Sequence, residues 1–398
     1  MLSVLAPDVL AIANAAILKH PPQILPSRLK PADDYHITAW AADNTVLYLS
    51  TTQTIASYDP SSNQLSPLYT PNDGYLIRCM VVKDKSFLIY GSGNSIHILE
   101  CRSQTPKVIQ SLGPHKHDIL SLSLSNDSTL LACGLSNAAY VHNLTTGSQT
   151  TLRGLSSTSA FAMCVFHPHV RTKLLVGLRD QLFVYDTTRP SAPLRVIVMN
   201  DAGTCISAIA CSPFSKTLVA VAMSNGHVGL VDLDKDKGLF RTLKFDVPLT
   251  TIAFSPEGAS IYLGTENGKL LVQDLRTLDR PPKSLIVSEA GKPIGWLAVQ
   301  KKLKESTDTV KPKGTPKSLS KSMTSTPLSK TAASPLRSRV VRPGASATPA
   351  RKAPLPSGVP KQTPPSKGTN SRKVKTQEFV NQDGFSNGND DSKYFDTD

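Results

Sequence analysis

Residues 247–275 read VPLTTIAFSPEGASIYLGTENGKLLVQDL. LTTIAFS alternates apolar and polar positions, the period of a strand with unlike faces. Pro256-Glu257-Gly258 is turn chemistry, SIYLGT is a second strand, Glu266-Asn267-Gly268 a tight turn and KLLVQDL a third strand. The same order of parts returns in 117–144, HDILSLSLSNDSTLLACGLSNAAYVHNL. It returns again in 203–233, with Cys211-Ser212-Pro213 at the first turn and Asn225-Gly226 at the second.

The third strand of each unit ends in an apolar run followed by an acidic residue or a substitute for one. The marks are TIASYD ending at Asp59, SIHILE at Glu100, AAYVHN at Asn143, QLFVYD at Asp186, HVGLVD at Asp232 and KLLVQD at Asp274, with a degenerate seventh, AAILKH, ending at His20. Successive marks stand 39, 41, 43, 43, 46 and 42 residues apart, the period of a WD40 blade. A carboxylate that recurs at one blade position is structural, because it serves a turn in every unit, whereas a catalytic pair occurs once. The expected fold is all-β: a seven-bladed WD40-type β-propeller over residues 1–300, followed by a disordered basic tail.

A four-stranded sheet exposes both faces and both edges, and radial packing of such sheets buries the faces. The ring must also close. The stretch LSVLAPDVLAIANAAIL has no basic leader and is interrupted by Pro7 and Asp8, so it reads as two strands of the first blade, near 2–9 and 10–19, rather than as a signal peptide. That blade lacks an innermost strand. Pro293–Gln300, PIGWLAVQ, is a strand without a blade of its own, and is expected to supply it. WD40 signature residues are sparse: no Trp-Asp pair occurs, and Gly113-Pro114-His115 is the one echo of the Gly-His element.

Charge divides the chain. The net formal charge is +14, yet residues 301–375 hold 18 Lys and Arg against 2 Asp and Glu, and 376–398 hold 1 against 6. Residues 1–300 are therefore nearly neutral. The 301–375 segment has 11 Pro, 21 Ser and Thr and no Phe, Trp or Tyr. It lacks the apolar surface that would offset ordering entropy and is expected to be disordered. The acidic 376–398 segment forms a C-terminal tail.

Five Ser/Thr-Pro dipeptides in the basic linker are candidate phosphorylation sites, at Thr315, Thr326, Ser334, Thr348 and Thr363. Ser334 and Thr348 carry Arg at the third following position, the pattern proline-directed mitotic kinases prefer. Ser325, Thr326 and Pro327 form a candidate docking core for the polo-box of polo-like kinases. Each phosphate adds roughly −1.5 to −2 charge and strong acceptor oxygens. The linker's charge suits an anionic surface, such as that of a microtubule. With no aromatic residue among its Lys and Arg, base stacking and sequence-specific nucleic-acid recognition are not expected.

No P-loop, GxGxxG, GxSxG or HExxH pattern occurs. Two histidine pairs, His115 with His117 and His167 with His169, fall at blade turns and read as structural. The six cysteines have no CxxC or Cys/His ligand spacing and read as buried reduced thiols. No metal, cofactor, small-molecule substrate, membrane insertion or catalytic residue is expected, and the chain is read as a non-enzyme.

Residues 248–285 with the following IGWLAVQ, and residues 115–147, resemble the NEDD-type, GCP-WD family of WD40-repeat γ-tubulin-complex attachment factors. Asp274-Leu275-Arg276 and the Val-Pro-Leu-Thr opening of the last blade are the most family-like details. The resemblance implies a scaffold that targets γ-tubulin ring complexes to centrosomes or spindle poles and to spindle microtubules. It places the protein in the cytoplasm and cytoskeleton, regulated in mitosis by phosphorylation of the linker. The family's helical, oligomerising segment has no heptad counterpart after residue 300, so the resemblance covers the targeting half. The alternative is a WD40 adaptor of another complex, a ubiquitin-ligase receptor or RNA-processing subunit, with an electrostatic tail.

Overall fold

The structure, a computed structural model, describes residues 1–301 apart from 20–21, 26–27, 137, 156–160 and 200–202, with only the backbone of residues 15 and 16. The described strands form seven four-stranded antiparallel sheets. In chain order, blade 1 contains β1 (Leu2–Ala6), β2 (Val9–Ala13) and β3 (Arg28–Leu29), with helix α1 (Ala15–Lys19) between the last two. Blade 2 is β4 (Ile37–Trp40), β5 (Leu47–Ser50), β6 (Ile55–Asp59) and β7 (Gln64–Tyr69); blade 3 is β8 (Ile77–Val82), β9 (Phe87–Ser92), β10 (Ser95–Glu100) and β11 (Lys107–Leu112). Blade 4 is β12 (Ser121–Leu124), β13 (Leu130–Gly134), β14 (Ala139–Asn143) and β15 (Gln149–Thr151). Blade 5 is β16 (Met163–Phe166), β17 (Lys173–Leu178), β18 (Gln181–Asp186) and β19 (Arg195–Val198). Blade 6 is β20 (Ile206–Cys211), β21 (Leu218–Met223), β22 (His227–Asp232) and β23 (Leu239–Lys244). Blade 7 is β24 (Leu249–Phe254), β25 (Ser260–Thr265), β26 (Lys269–Asp274) and β27 (Lys283–Ile286), and β28 (Trp296–Val299) follows.

Burial along each blade follows its neighbours. The second strands are apolar and buried almost end to end, as in LLACG of β13 and LVAVAM of β21, because a blade covers each face. The outermost strands, such as QLSPLY of β7 and KVIQSL of β11, mix half-buried and exposed positions and contain no fully buried residue. The core is thus divided into inter-blade layers. Leu131 and Cys133 of blade 4 pack with Ile89 and Ile98 of blade 3, while Ala132 and Val141 on the opposite face of blade 4 pack with Val176 and Phe183 of blade 5. Leu2, Val4 and Ala11 of blade 1 share a layer with Tyr262, Leu270 and Val272 of blade 7, so the first and last blades are in contact.

Sheet order in blade 1 is β28-β1-β2-β3. β28 runs antiparallel to β1, with Leu2 opposite Val299 and Leu5 opposite Trp296. Gln300 N donates to Met1 O at 2.9 Å and the Met1 ammonium donates to Gln300 Oε1 at 2.8 Å. Between blades 1 and 2, Ser3 Oγ and Thr38 Oγ1 are 3.2 Å apart, and the Trp40 indole N–H reaches Ala298 O.

The strand expected over 10–19 is shorter than the sequence suggests. β2 stops at Ala13 and residues 15–19 form α1. Asn14 is the reason: its Oδ1 accepts the Ile17 N–H at 2.8 Å, the bond of a helix N-cap. Pro21 and Pro22 follow and cannot continue a helix. AAILK therefore ends no blade strand, and its buried Leu18 packs in the blade 1–blade 7 layer. His20 lies outside the described residues, as do the basic linker, the acidic tail and every candidate phosphorylation and docking position from Thr315 to Thr363.

Candidate functional site

In blades 2 to 7 the third strand delivers its last residue to a turn at half-buried depth. Asp59 Oδ1 accepts Ser61 N at 2.8 Å and Ser61 Oγ at 2.7 Å. Asn143 Oδ1 accepts Thr145 N at 2.9 Å and Thr146 N at 3.1 Å. Asp186 Oδ1 accepts Thr188 N at 3.0 Å and Thr188 Oγ1 at 2.8 Å, and Asp232 Oδ1 accepts Asp234 N at 3.2 Å. Asp274 Oδ1 accepts Arg276 N at 2.9 Å, and Arg276 Nη2 lies 2.7 Å from Oδ2. These are Asx turns, in which a short side chain stands in for a backbone acceptor. Glu100 is one methylene longer; it faces Lys107 across the ladder.

The turn bonds favour the ionised carboxylate. The Arg276 guanidinium and backbone N–H hold Asp274 down at about 2. Hydrogen bonds from Ser61 lower Asp59; at Asp186 burial acts to raise the carboxyl, and hydrogen bonds from Thr188 and Thr172 together with the charge of Arg189 hold it below its ordinary value. A carboxylate so paired is a weak proton acceptor. Asp274 is therefore not a free base for the cleft it borders, which Lys19, Glu257, Tyr262, Arg276, Arg280 and Lys283 also line.

A different group of side chains converges under the loops between blades 3 and 4. In blade 4, Cys133 stands opposite Tyr140 and Leu131 opposite His142. Opposed residues share a face, so Cys133 and His142 are diagonal neighbours on the face turned to blade 3. His115 descends onto them from the loop joining β11 to β12, after a cis Gly113–Pro114 bond. Asn94, in the β9–β10 turn, anchors that loop: its carbonyl accepts His115 N at 2.9 Å and His115 Nδ1 at 3.1 Å, and its Nδ2 donates to His115 O at 3.2 Å. A carbonyl only accepts, so Nδ1 carries the proton and the lone pair of His115 is on Nε2.

That lone pair is contested. His142 Nε2 lies 3.0 Å and Cys133 Sγ 3.8 Å from His115 Nε2. All three residues are buried. Burial lowers His115 and, with His115 alongside, takes His142 down to about 4; burial raises the Cys133 thiol to about 12. At neutral pH the cluster holds two neutral imidazoles and a thiol, a donor set for a borderline-soft metal.

The sequence pairs His115 with His117, but His117 is exposed and the partner in space is His142. His167 and His169 do stay together: His167 Nδ1 accepts His169 N and Val170 N, both at 3.2 Å, closing the turn between β16 and β17. All six cysteines are free thiols; Cys205 departs from the expected burial and is exposed. No described helix is long and apolar enough to cross a membrane. On the rim, Leu194 and the β19 side chains Val196 and Val198 are exposed at 58%, 42% and 44%, while Ile197 between the two valines is buried. This outer edge is more apolar than edge strands usually are.

No protein-family model matches the chain. Over 224 residues, 55% of the chain, it is 26% identical to Protein NEDD1 of Homo sapiens. It is 25% identical over the same length to Protein NEDD1 of Bos taurus and of Mus musculus. The match spans 33% of the length of each relative. A solved structure described as "Crystal Structure of Mitotic Checkpoint Complex" contains a chain that superposes with a TM-score of 0.55 at 18% identity, over 64% of this chain and 78% of that one. That likeness shows the fold.

Proposed function

From the premise that this chain is a NEDD1-type WD40 protein, we propose that it acts without catalysis as a targeting scaffold. In this reading it brings γ-tubulin ring complexes to centrosomes or spindle poles and to spindle microtubules, promoting nucleation in mitosis. The similarity to the NEDD1 proteins over 224 residues carries the reading. A closed ring whose blade-end aspartates are engaged in turns supports a docking body rather than an enzyme. The linker adds regulation: mitotic proline-directed and polo-like kinases phosphorylate sites among Thr315, Thr326, Ser334, Thr348 and Thr363, lowering the positive charge that holds the tail to the microtubule surface.

The test follows the tagged chain through mitosis and isolates it with its bound proteins. Concentration at spindle poles with co-purified γ-tubulin is the expected result. Diffuse localisation and no γ-tubulin would overturn the reading and leave the adaptor of another complex.

A further inference from the structure

The geometry points to a metal site that nothing else about the protein discloses: we propose that His115 Nε2, Cys133 Sγ and His142 Nε2 bind a single zinc-class divalent ion between blades 3 and 4. The three donor atoms all lie within 4.8 Å of one another. Tetrahedral zinc with ordinary Zn–N and Zn–S bonds sets its nitrogen donors about 3.3 Å apart and a nitrogen–sulfur pair about 3.6 Å apart. The separations here are 3.0 Å between the two Nε2 atoms and 3.8 Å between Cys133 Sγ and His115 Nε2. These two separations differ from the tetrahedral values by a few tenths of an ångström, and the third pair, Cys133 Sγ with His142 Nε2, lies within 4.8 Å.

Two further observations favour an ion over a closed hydrogen-bond cluster. A neutral His115 with its proton on Nδ1 has one lone pair, and two groups, His142 Nε2–H and Cys133 S–H, aim at it. One lone pair cannot serve both well. A cation at the centre instead receives a lone pair from all three. The Asn94 carbonyl also holds the far nitrogen of His115, the outer-sphere bond by which a ligating imidazole is oriented and made more basic.

The donor set selects the metal. One thiolate and two imidazoles suit zinc, and neither magnesium nor calcium, which take oxygen. Binding transfers no electrons. The Cys133 thiol loses its proton to solvent as the sulfur–metal bond forms. His142 changes tautomer as the ion enters, Nε2 giving up its proton to solvent and Nδ1 taking one up, so both imidazoles bind as neutral ligands. Three protein donors leave a fourth position for water.

The test uses the 398-residue chain carrying Cys205→Ser, which removes the exposed thiol, stripped with a chelator and titrated with cobalt(II). One equivalent is expected to bind, with a near-ultraviolet thiolate-to-cobalt band that equimolar zinc abolishes. Cys133→Ser removes the band, and His142→Gln weakens binding at least tenfold, while His117→Gln changes neither. Near-ultraviolet circular dichroism establishes that each variant is folded. Zinc-edge X-ray absorption of the protein with Cys133 intact needs no site variant and is expected to show one sulfur in the first shell. A shell of nitrogen and oxygen alone, no cobalt band at saturating metal, or a band that survives Cys133→Ser would overturn the proposal and leave a hydrogen-bonded structural cluster.

Discussion

The indole N–H of Trp40 donates to the carbonyl oxygen of Ala298 at 3.0 Å, joining the first strand of blade 2 to the strand that completes blade 1. Ser3 Oγ donates to the same oxygen at 3.3 Å. Trp40→Phe keeps most of the ring's apolar surface and removes the N–H, at an expected cost of about 1 kcal/mol. Trp40→Ala also empties a buried ring site and is expected to cost about 3–5 kcal/mol. Urea unfolding reads both. Equal losses would show that packing contributes nothing beyond the hydrogen bond.

Gly134 ends β13 beside Cys133. A Cβ built on it falls 1.8 Å from the carbonyl oxygen of Ala162, a backbone atom with no rotamer to yield. Gly134→Ala must therefore separate blade 4 from the segment entering blade 5, at an expected cost of about 3 kcal/mol or more. Gly147 is the contrast. Nothing lies within 4 Å of its Cβ position, but its φ is +72°, so Gly147→Ala is expected to cost about 1 kcal/mol. Thermal unfolding of the pair checks the ordering.

The blade-end residues divide by length of side chain. Asp186→Ala frees Thr188 N and Oγ1 and is expected to cost about 1 kcal/mol, with Asp186→Asn recovering most of it. Glu100→Ala is expected to stay within about 0.5 kcal/mol of the parent. Equal effects in denaturant unfolding would mean that the repeat position, rather than the turn bond, determines stability.

His167 makes the fold sensitive to acid. Its Nδ1 must accept two backbone N–H groups, which a protonated ring cannot do. Burial first, then Lys173 and His169, push its pKa down to about 4, below the ordinary histidine value of roughly 6.5. Between those values the unfolded chain binds the extra proton and the folded one does not. The stabilisation is therefore complete above about pH 6.5 and falls away as pH drops toward about 4. His167→Asn is expected to flatten the stability–pH curve in that window relative to the parent. Parallel curves would remove His167 as a source of the slope.

The propeller was readable because its strands obey local rules: buried second strands form apolar runs, and turn residues recur at a fixed interval. The first blade was harder. AAILK has the apolar content of a strand, and a single side-chain bond from Asn14 to Ile17 N accompanies the helix instead. The His115–Cys133–His142 group was hidden for another reason. Its members are 27 and 18 residues from His115 along the chain, and only the β13–β14 register with the Asn94 clamp brings them together. The Leu131–His142 opposition is implicit in the hairpin over LLACGLSNAAYVH, and tracing it from the turn would have put Cys133 and His142 on one face.

The pairing of Leu2 with Val299 has a consequence during synthesis. β1 is made almost 300 residues before its inner partner. At roughly 5–20 residues per second, β1 waits on the order of 15–60 seconds with one edge open. Blades 2 to 7 can assemble in turn during that interval, while blade 1 is held for the last strand. The nascent chain thus carries an exposed β-edge until Trp296–Val299 emerge, and slow elongation through blade 7 would prolong its exposure to chaperones.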